Sequence, residues 1–159
     1  MKPPVALLDS NVVIAAIVED HVHHPASARL LTGFDPASFG IAAHSYAEAY
    51  VTLTRQGPSG SMGFPPSQAL AALSALRAVT TLVGATPSQT VEAVGRFAAR
   101  GGIGPRLYDT LIGEAAVANG IGCIITWNIR HLAALFPGLP VMTPSSFLAK
   151  GSGEPSPAR

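Results

Sequence analysis

The chain alternates short apolar runs with longer stretches in which apolar residues recur at helical spacing. Val5-Ala-Leu-Leu8 is apolar throughout and stops at Asp9, the mark of a strand buried on both faces of a sheet. A helix is predicted from Asn11 to Val18. A second runs from Pro25 through Leu31, since proline is well tolerated in a first turn. Phe39-Gly-Ile-Ala-Ala43 reads as a second strand, followed by a helix from Ser45 to Arg55. Gln56 to Pro66 is dense in glycine, proline and serine and reads as a loop. Beyond it the pattern predicts a helix to Ala78, a strand from Thr80 to Val83 and a helix opened by Pro87 that reaches Arg100. Gly101-Gly-Ile-Gly-Pro105 interrupts the chain before a helix from Arg106 to Asn119. Cys123 to Thr126 reads as a strand, Ile129 to Leu135 as a short helix, Leu139 to Thr143 as a last strand, and the segment to Lys150 as a closing helix. One domain over residues 1–150 is expected, with a disordered tail over 151–159.

Strands alternating with helices predict a three-layer α/β/α domain with a mostly parallel sheet of roughly five strands. Ligands of such sheets bind beyond the carboxyl ends of the strands, where the strand order switches. Asp9, His44 and the turn from Thr126 to Asn128 each follow a predicted strand.

Composition narrows the class. The 159 residues are 48% hydrophobic and 12% charged, against a usual charged share of about 25%, so the chain is expected to be globular and not disordered. The lone cysteine, Cys123, lies in an apolar run and is expected to be buried and unreactive. No basic and apolar leader opens the sequence and no run approaches the roughly 18 apolar residues of a membrane span, so the expected address is the cytoplasm, with no membrane partner. A formal charge of +1 offers no global attraction to nucleic acid; any RNA bound must be met by local arginines and a cation.

The nine acidic residues are few enough for their placement to be informative. Asp9, Glu48 and Asp109 sit in apolar surroundings, Leu7-Leu-Asp-Ser-Asn-Val12, Tyr46-Ala-Glu-Ala-Tyr50 and Leu107-Tyr-Asp-Thr-Leu111, and buried carboxylates need a partner or a metal. Each also has a purely structural explanation. Asp9 can cap its helix, Ser45-x-x-Glu48 has the spacing of a capping box, and Asp109 can pair with Arg106 one turn earlier. Glu19, Asp20, Asp35, Glu92, Glu114 and Glu154 read as solvated surface acids.

Taken together, Leu7-Leu-Asp-Ser-Asn-Val-Val13, His44-Ser-Tyr-Ala-Glu-Ala-Tyr50, Leu107-Tyr-Asp-Thr-Leu-Ile112 with Ala115-Ala116, and Ile125-Thr-Trp-Asn-Ile-Arg-His-Leu132 resemble the motifs of the PIN-domain family, and within it the VapC-type toxins of toxin–antitoxin pairs. The resemblance covers the chain to about Lys150. It implies an endoribonuclease dependent on Mg²⁺ or Mn²⁺ that leaves a 5′-phosphate and a 3′-hydroxyl. Asp9, Glu48 and Asp109 would hold the cation, supported by Ser10, Asn11 and Thr126. It further implies a small antitoxin partner and a homodimer. Many members carry a fourth acid where this chain has Asn128, which leaves a second cation open and keeps a non-cleaving RNA- or protein-binding module as the alternative. A phosphotransferase built on Asp9 is disfavoured, because a haloacid-dehalogenase-like site needs an aspartate where Asn11 stands.

Other groupings carry less. His21-Val-His-His24 precedes Pro25 and reads as a loop and helix start, not a zinc site. His44 reads as structural. Arg100, Arg106 and Arg130, with Arg96 nearby, are candidates to meet RNA at the rim, and His131 to contact phosphate. Gly101-Gly-Ile-Gly104 does not follow a strand and so lacks the context of a phosphate-binding loop.

Overall fold

The computed structural model describes residues 3–57 and 62–151. The apolar run at the start forms β1 (Ala6–Leu8), whose three residues are all buried. β1 lies at the centre of an all-parallel sheet with β2 (Phe39–Ala42), β3 (Thr81–Val83), β4 (Ile124–Ile125) and β5 (Val141–Met142), in the order β3-β2-β1-β4-β5. Leu8 pairs with Ile41 on one side and Ile125 on the other.

Successive strand residues face opposite layers, as the strand's period of two requires. Ala6, Leu8, Ile41 and Ile125 point into a core completed by α1 (Ser10–Ile17), α2 (His24–Gly33), α3 (Ala43–Thr54), α4 (Pro66–Val79) and α8 (Pro144–Gly151). Leu7, Ala42 and Ile124 face a smaller core formed with α6 (Arg106–Ala118) and α7 (Ile129–Leu135). α5 (Pro87–Ala99) packs on α6. The expected three layers and five strands are therefore present, and the sheet is wholly parallel.

The chain runs outward from β1 through β2 to β3, then returns to place β4 on the other side of β1. The switch in strand order thus lies between the carboxyl ends of β1 and β4, at Asp9 and Thr126. Element ends depart from the sequence reading by one or two residues, with one consequential case. α3 begins at Ala43, so Ser45 is inside the first turn and buried, and Ala42 at the N-cap makes no side-chain bond. The Ser45–Glu48 capping box does not form. A true box closes α5, where Thr86 accepts from the Gln89 backbone and Gln89 from that of Thr86.

In the expected loop, residues 58–61 lie outside the described residues, and regular structure resumes at Pro66. Of the expected tail, Gly151 belongs to α8 and 152–159 lie outside the described residues. Among the described residues no helix is long and apolar enough to cross a membrane.

Candidate active site

Asp9 leaves the end of β1 and is the N-cap of α1, its Oδ1 accepting from the Ser10 backbone N–H at 2.7 Å. The capping explanation is therefore correct, and it is half of the account. Oδ2 accepts from the Thr126 hydroxyl at 2.7 Å and from Asn11 Nδ2 at 3.0 Å. Thr126 lies just past β4, so this bond ties the two strand ends at the switch point. Asn11 Nδ2 also donates to Thr126 Oγ1 at 3.0 Å, and its Oδ1 accepts from the Trp127 backbone N–H at 3.1 Å. Thr126 Oγ1 in turn accepts from the Asn128 backbone N–H at 3.0 Å. Two strand ends and two helix starts are thereby fixed about one carboxylate.

Glu48 stands in the second turn of α3, half-buried, and Asp109 in the first turn of α6. Asp9, Glu48, Asp109 and Asn128 line one cavity of about 290 Å³, together with Ser10, Asn11, Pro105, Arg106, Tyr108 and His131. Burial pushes the Asp9 carboxyl above the ordinary aspartate range; the bonds from Thr126 and Ser10 oppose this, and the charge of Asp109 adds to it. Glu48 is likewise pushed up, by burial first and then by the charges of Asp9 and Asp109. Three carboxylates thus face one arginine across a single cavity.

Asp109 does not pair with Arg106. Its Oδ2 lies 3.3 Å from His131 Nδ1, on α7, which is also 3.5 Å from Asn128 Nδ2. Asn128 is the N-cap residue of α7, yet its side chain makes no capping bond. Arg106 forms no ion pair among the described residues. Arg100 lines a second, adjoining cavity, whereas Arg130 is exposed and lines neither.

Residues outside the sequence-derived set also approach. Tyr108 and Pro105 line the cavity. The His44 ring faces that of Tyr108 at 6.4 Å; burial lowers its pKa, and the Tyr108 backbone and the charge of Asp109 oppose this. Tyr108 and His44 both belong to the recognised motifs, and the apolar setting of Tyr108 gave no sign of this role. Glu114, expected to be solvated, is held at 2.7 Å by Arg96; Asp35 caps a short 3₁₀ turn at Pro36–Ser38. The histidine trio is structural: His24 Nδ1 meets the Ala15 carbonyl at 2.9 Å and His23 stacks on Trp127. Cys123 is buried, its thiol pushed up to about 11 by burial.

The donor set suits a hard divalent cation. All three acids offer carboxylate oxygen, the donor that Mg²⁺ and Mn²⁺ prefer. Asp9 Oδ1 keeps accepting capacity, since among the described residues it meets, beyond the Ser10 N–H, only the Ser10 hydroxyl, at 3.4 Å. The mutual repulsion at Asp9 and Glu48 is what a cation would relieve. Among the described residues no three His, Cys, Asp or Glu side chains form a group that could hold a metal ion as they stand; the three acids line one open cavity.

A PIN domain model matches residues 6–134. No curated protein matches the chain. Similar solved structures include the Mycobacterium tuberculosis toxin VapC20, described as cleaving the sarcin–ricin loop. It is 18% identical, with a TM-score of 0.63 over 81% of this chain and 94% of that one. A toxin–antitoxin complex from Klebsiella pneumoniae matches at 19% identity and TM-score 0.59, over 87% of this chain and 97% of that one. VapBC2 of Rickettsia felis, solved on a fragment of promoter DNA, matches at 17% and 0.59, over 86% and 96%.

Proposed function

Because the chain belongs to the PIN domain family, we propose that it is an endoribonuclease dependent on Mg²⁺ or Mn²⁺ and the toxin of a toxin–antitoxin pair. The observation that carries this reading is the convergence of Asp9, Glu48 and Asp109 on one cavity at the switch point of the sheet. Such a cavity repels a phosphodiester unless a cation enters it. Asp9, Glu48 and Asp109 would hold that cation, with Ser10, Asn11 and Thr126 fixing the orientation of Asp9. When bound, it neutralises the scissile phosphate and eases deprotonation of an attacking water. Arg106 binds a phosphate oxygen at the rim, and His131 positions Asp109 through their contact. The Asp9 network contributes rigidity, since a carboxylate locked by bonds from both strand ends loses little freedom on binding.

The test is cleavage of single-stranded RNA with and without a chelator, in the presence of either metal. Cleavage should require the metal, and Asp109→Asn should lower it by about 100-fold or more. Metal-independent cleavage, or an Asp109→Asn variant as active as the parent, overturns the reading.

A second reading, a module that binds without cleaving, is favoured by one observation: Asn128 offers the cavity a neutral amide where a fourth carboxylate could stand. Asn128→Asp separates the two. If the position serves a second cation, the substitution should lower the Mn²⁺ concentration for half-maximal cleavage. An inactive parent that Asn128→Asp makes active would favour the binding module.

Several of the similar structures are described as toxin–antitoxin complexes, which supports a small antitoxin partner for this chain. A homodimer belongs to the same proposal. It is supported by exposed apolar side chains such as Val51 on α3, Leu70 on α4 and Val91 on α5. The cytoplasm is the compartment consistent with an RNA substrate.

A further inference from the structure

A second cavity, of about 530 Å³, opens beside the acidic one, between α5, α6 and α7. The two share Arg106, Asp109 and His131, so an occupant of the second lies next to whatever phosphate enters the first. The volume falls within the range of small-molecule pockets, about 300–1,000 Å³.

Two aromatic side chains, Phe97 and Phe136, are part of its lining. Phe97 packs on Gly102, where a Cβ would come within 2.6 Å of the ring, and Phe136 packs on Gly113, where a Cβ would collide with it. Ile103, at the mouth, is 81% exposed, a large apolar side chain left in water beside an apolar opening. Gly101 and Gly104 have positive φ, so the Gly101–Gly104 segment is the turn that carries this lip and not a phosphate loop.

Thr110, in α6, lines the cavity, and its hydroxyl is buried without a hydrogen-bond partner among the described residues. Threonine in a helix ordinarily bonds the carbonyl four residues earlier; Thr110 does not. A buried polar group left without a partner is costly. At the rim, Arg96 is engaged by Glu114 and Glu92, while Arg100 and Arg106 form no ion pair among the described residues.

We propose that this cavity is a base-binding subsite, which seats the unpaired nucleobase flanking the scissile phosphate. The base lies against Phe97 and Phe136, Thr110 bonds its edge, and Arg100 and Arg106 meet the adjoining phosphates. Aromatic walls with a single polar contact and cations outside are the chemistry by which single-stranded RNA is read. The proposal rests on the ribonuclease reading for its substrate, but the binding it describes needs neither metal nor cleavage.

The experiment therefore uses the full chain in chelator, titrated with each of the four nucleoside 5′-monophosphates and followed by amide chemical shifts. We expect shifts around Phe97, Thr110 and Phe136, and one base preferred over the weakest by at least about fivefold, the effect of one hydrogen bond. Thr110→Val should bring the four dissociation constants within about twofold, and Thr110→Ser should keep the preference. The melting temperature of Thr110→Val should not fall, since no native bond is lost. Shifts confined to the acidic cavity, four equal affinities in the parent, or a preference unchanged in Thr110→Val each overturn the proposal. So does a cavity that ignores nucleotides and takes up side chains of a protein partner instead. Selective binding by a protein that cleaves no RNA would uphold the subsite while defeating the nuclease reading. Cleavage without nucleotide binding would do the reverse.

Discussion

At the scale of single residues, the carboxylates set the pH behaviour. Glu48 is half-buried and faces Asp9 and Asp109, so its pKa is raised in the folded protein. A carboxyl with a raised folded pKa holds its proton more tightly folded than unfolded. Its contribution therefore favours folding in acid and is lost as the pH climbs from the ordinary glutamate value through the raised one. Glu48→Gln removes the repulsion, and in chelator it should melt higher than the parent at neutral pH. The difference should shrink towards zero near pH 4, roughly where a free glutamate is itself half-protonated. A melting-temperature series from acid to neutral pH reads this directly, and a Glu48→Gln protein less stable than its parent at neutral pH would refute it. The acids themselves were legible in the sequence because charge is rare in this chain and each lay in an apolar run. Their partners were not. Arg106 was the structural partner that helical spacing offered Asp109 as an alternative, but the contact comes from His131 on α7, and only the packing of α6 against α7 could reveal it. Asp9 shows the opposite case: one side chain caps α1 through Oδ1 and ties the two strand ends through Oδ2.

At the scale of elements, the apolar runs were strong enough to locate every strand of the sheet, and the helices followed to within a turn. Short motifs fared worse where packing competed with them. Ser45 has the spacing of a capping residue, but burying Ala49 and Leu53 sets the frame of α3 and starts it at Ala43, which leaves Ser45 in the core. Thr86, before an amphipathic α5 with no such constraint, caps as its spacing indicates. The same contrast between local preference and packing gives a paired prediction at two helical glycines. Gly95 in α5 has open space where a Cβ would sit, whereas a Cβ on Gly113 in α6 would collide with Phe136. Gly95→Ala should stabilise the protein by about 0.5–1 kcal/mol, since alanine has the better helix propensity. Gly113→Ala should destabilise it by about 1–3 kcal/mol through overpacking. Urea midpoints measured at equal slope report both signs, and two shifts in the same direction would contradict the packing of Phe136 on α6.

At the scale of the whole molecule, charge decides how the proposed RNA substrate would be held. A formal charge of +1 and a mean hydropathy of +0.35 carry no mark of a nucleic-acid binder, and from composition alone RNA was not legible. The fold gathers Arg100 and Arg106, neither in an ion pair among the described residues, around two adjoining cavities, while Arg96 is held by Glu92 and Glu114. If those two arginines are the principal phosphate contacts, binding to single-stranded RNA should depend only weakly on salt. Each phosphate neutralised on a single strand contributes a slope of about −0.7 to log K against log salt, so two give about −1.4. The measurement belongs in chelator, where divalent ions neither bridge the phosphates nor permit cleavage. Arg100→Ala should reduce the slope by about 0.7, and should weaken binding nearly alike for all sequences, because a phosphate contact carries no base information. A slope of about −4 or steeper, as six contacts would give, would instead require a broad basic face, which a chain with ten lysines and arginines against nine acids could present only by segregating its charges elsewhere on the surface.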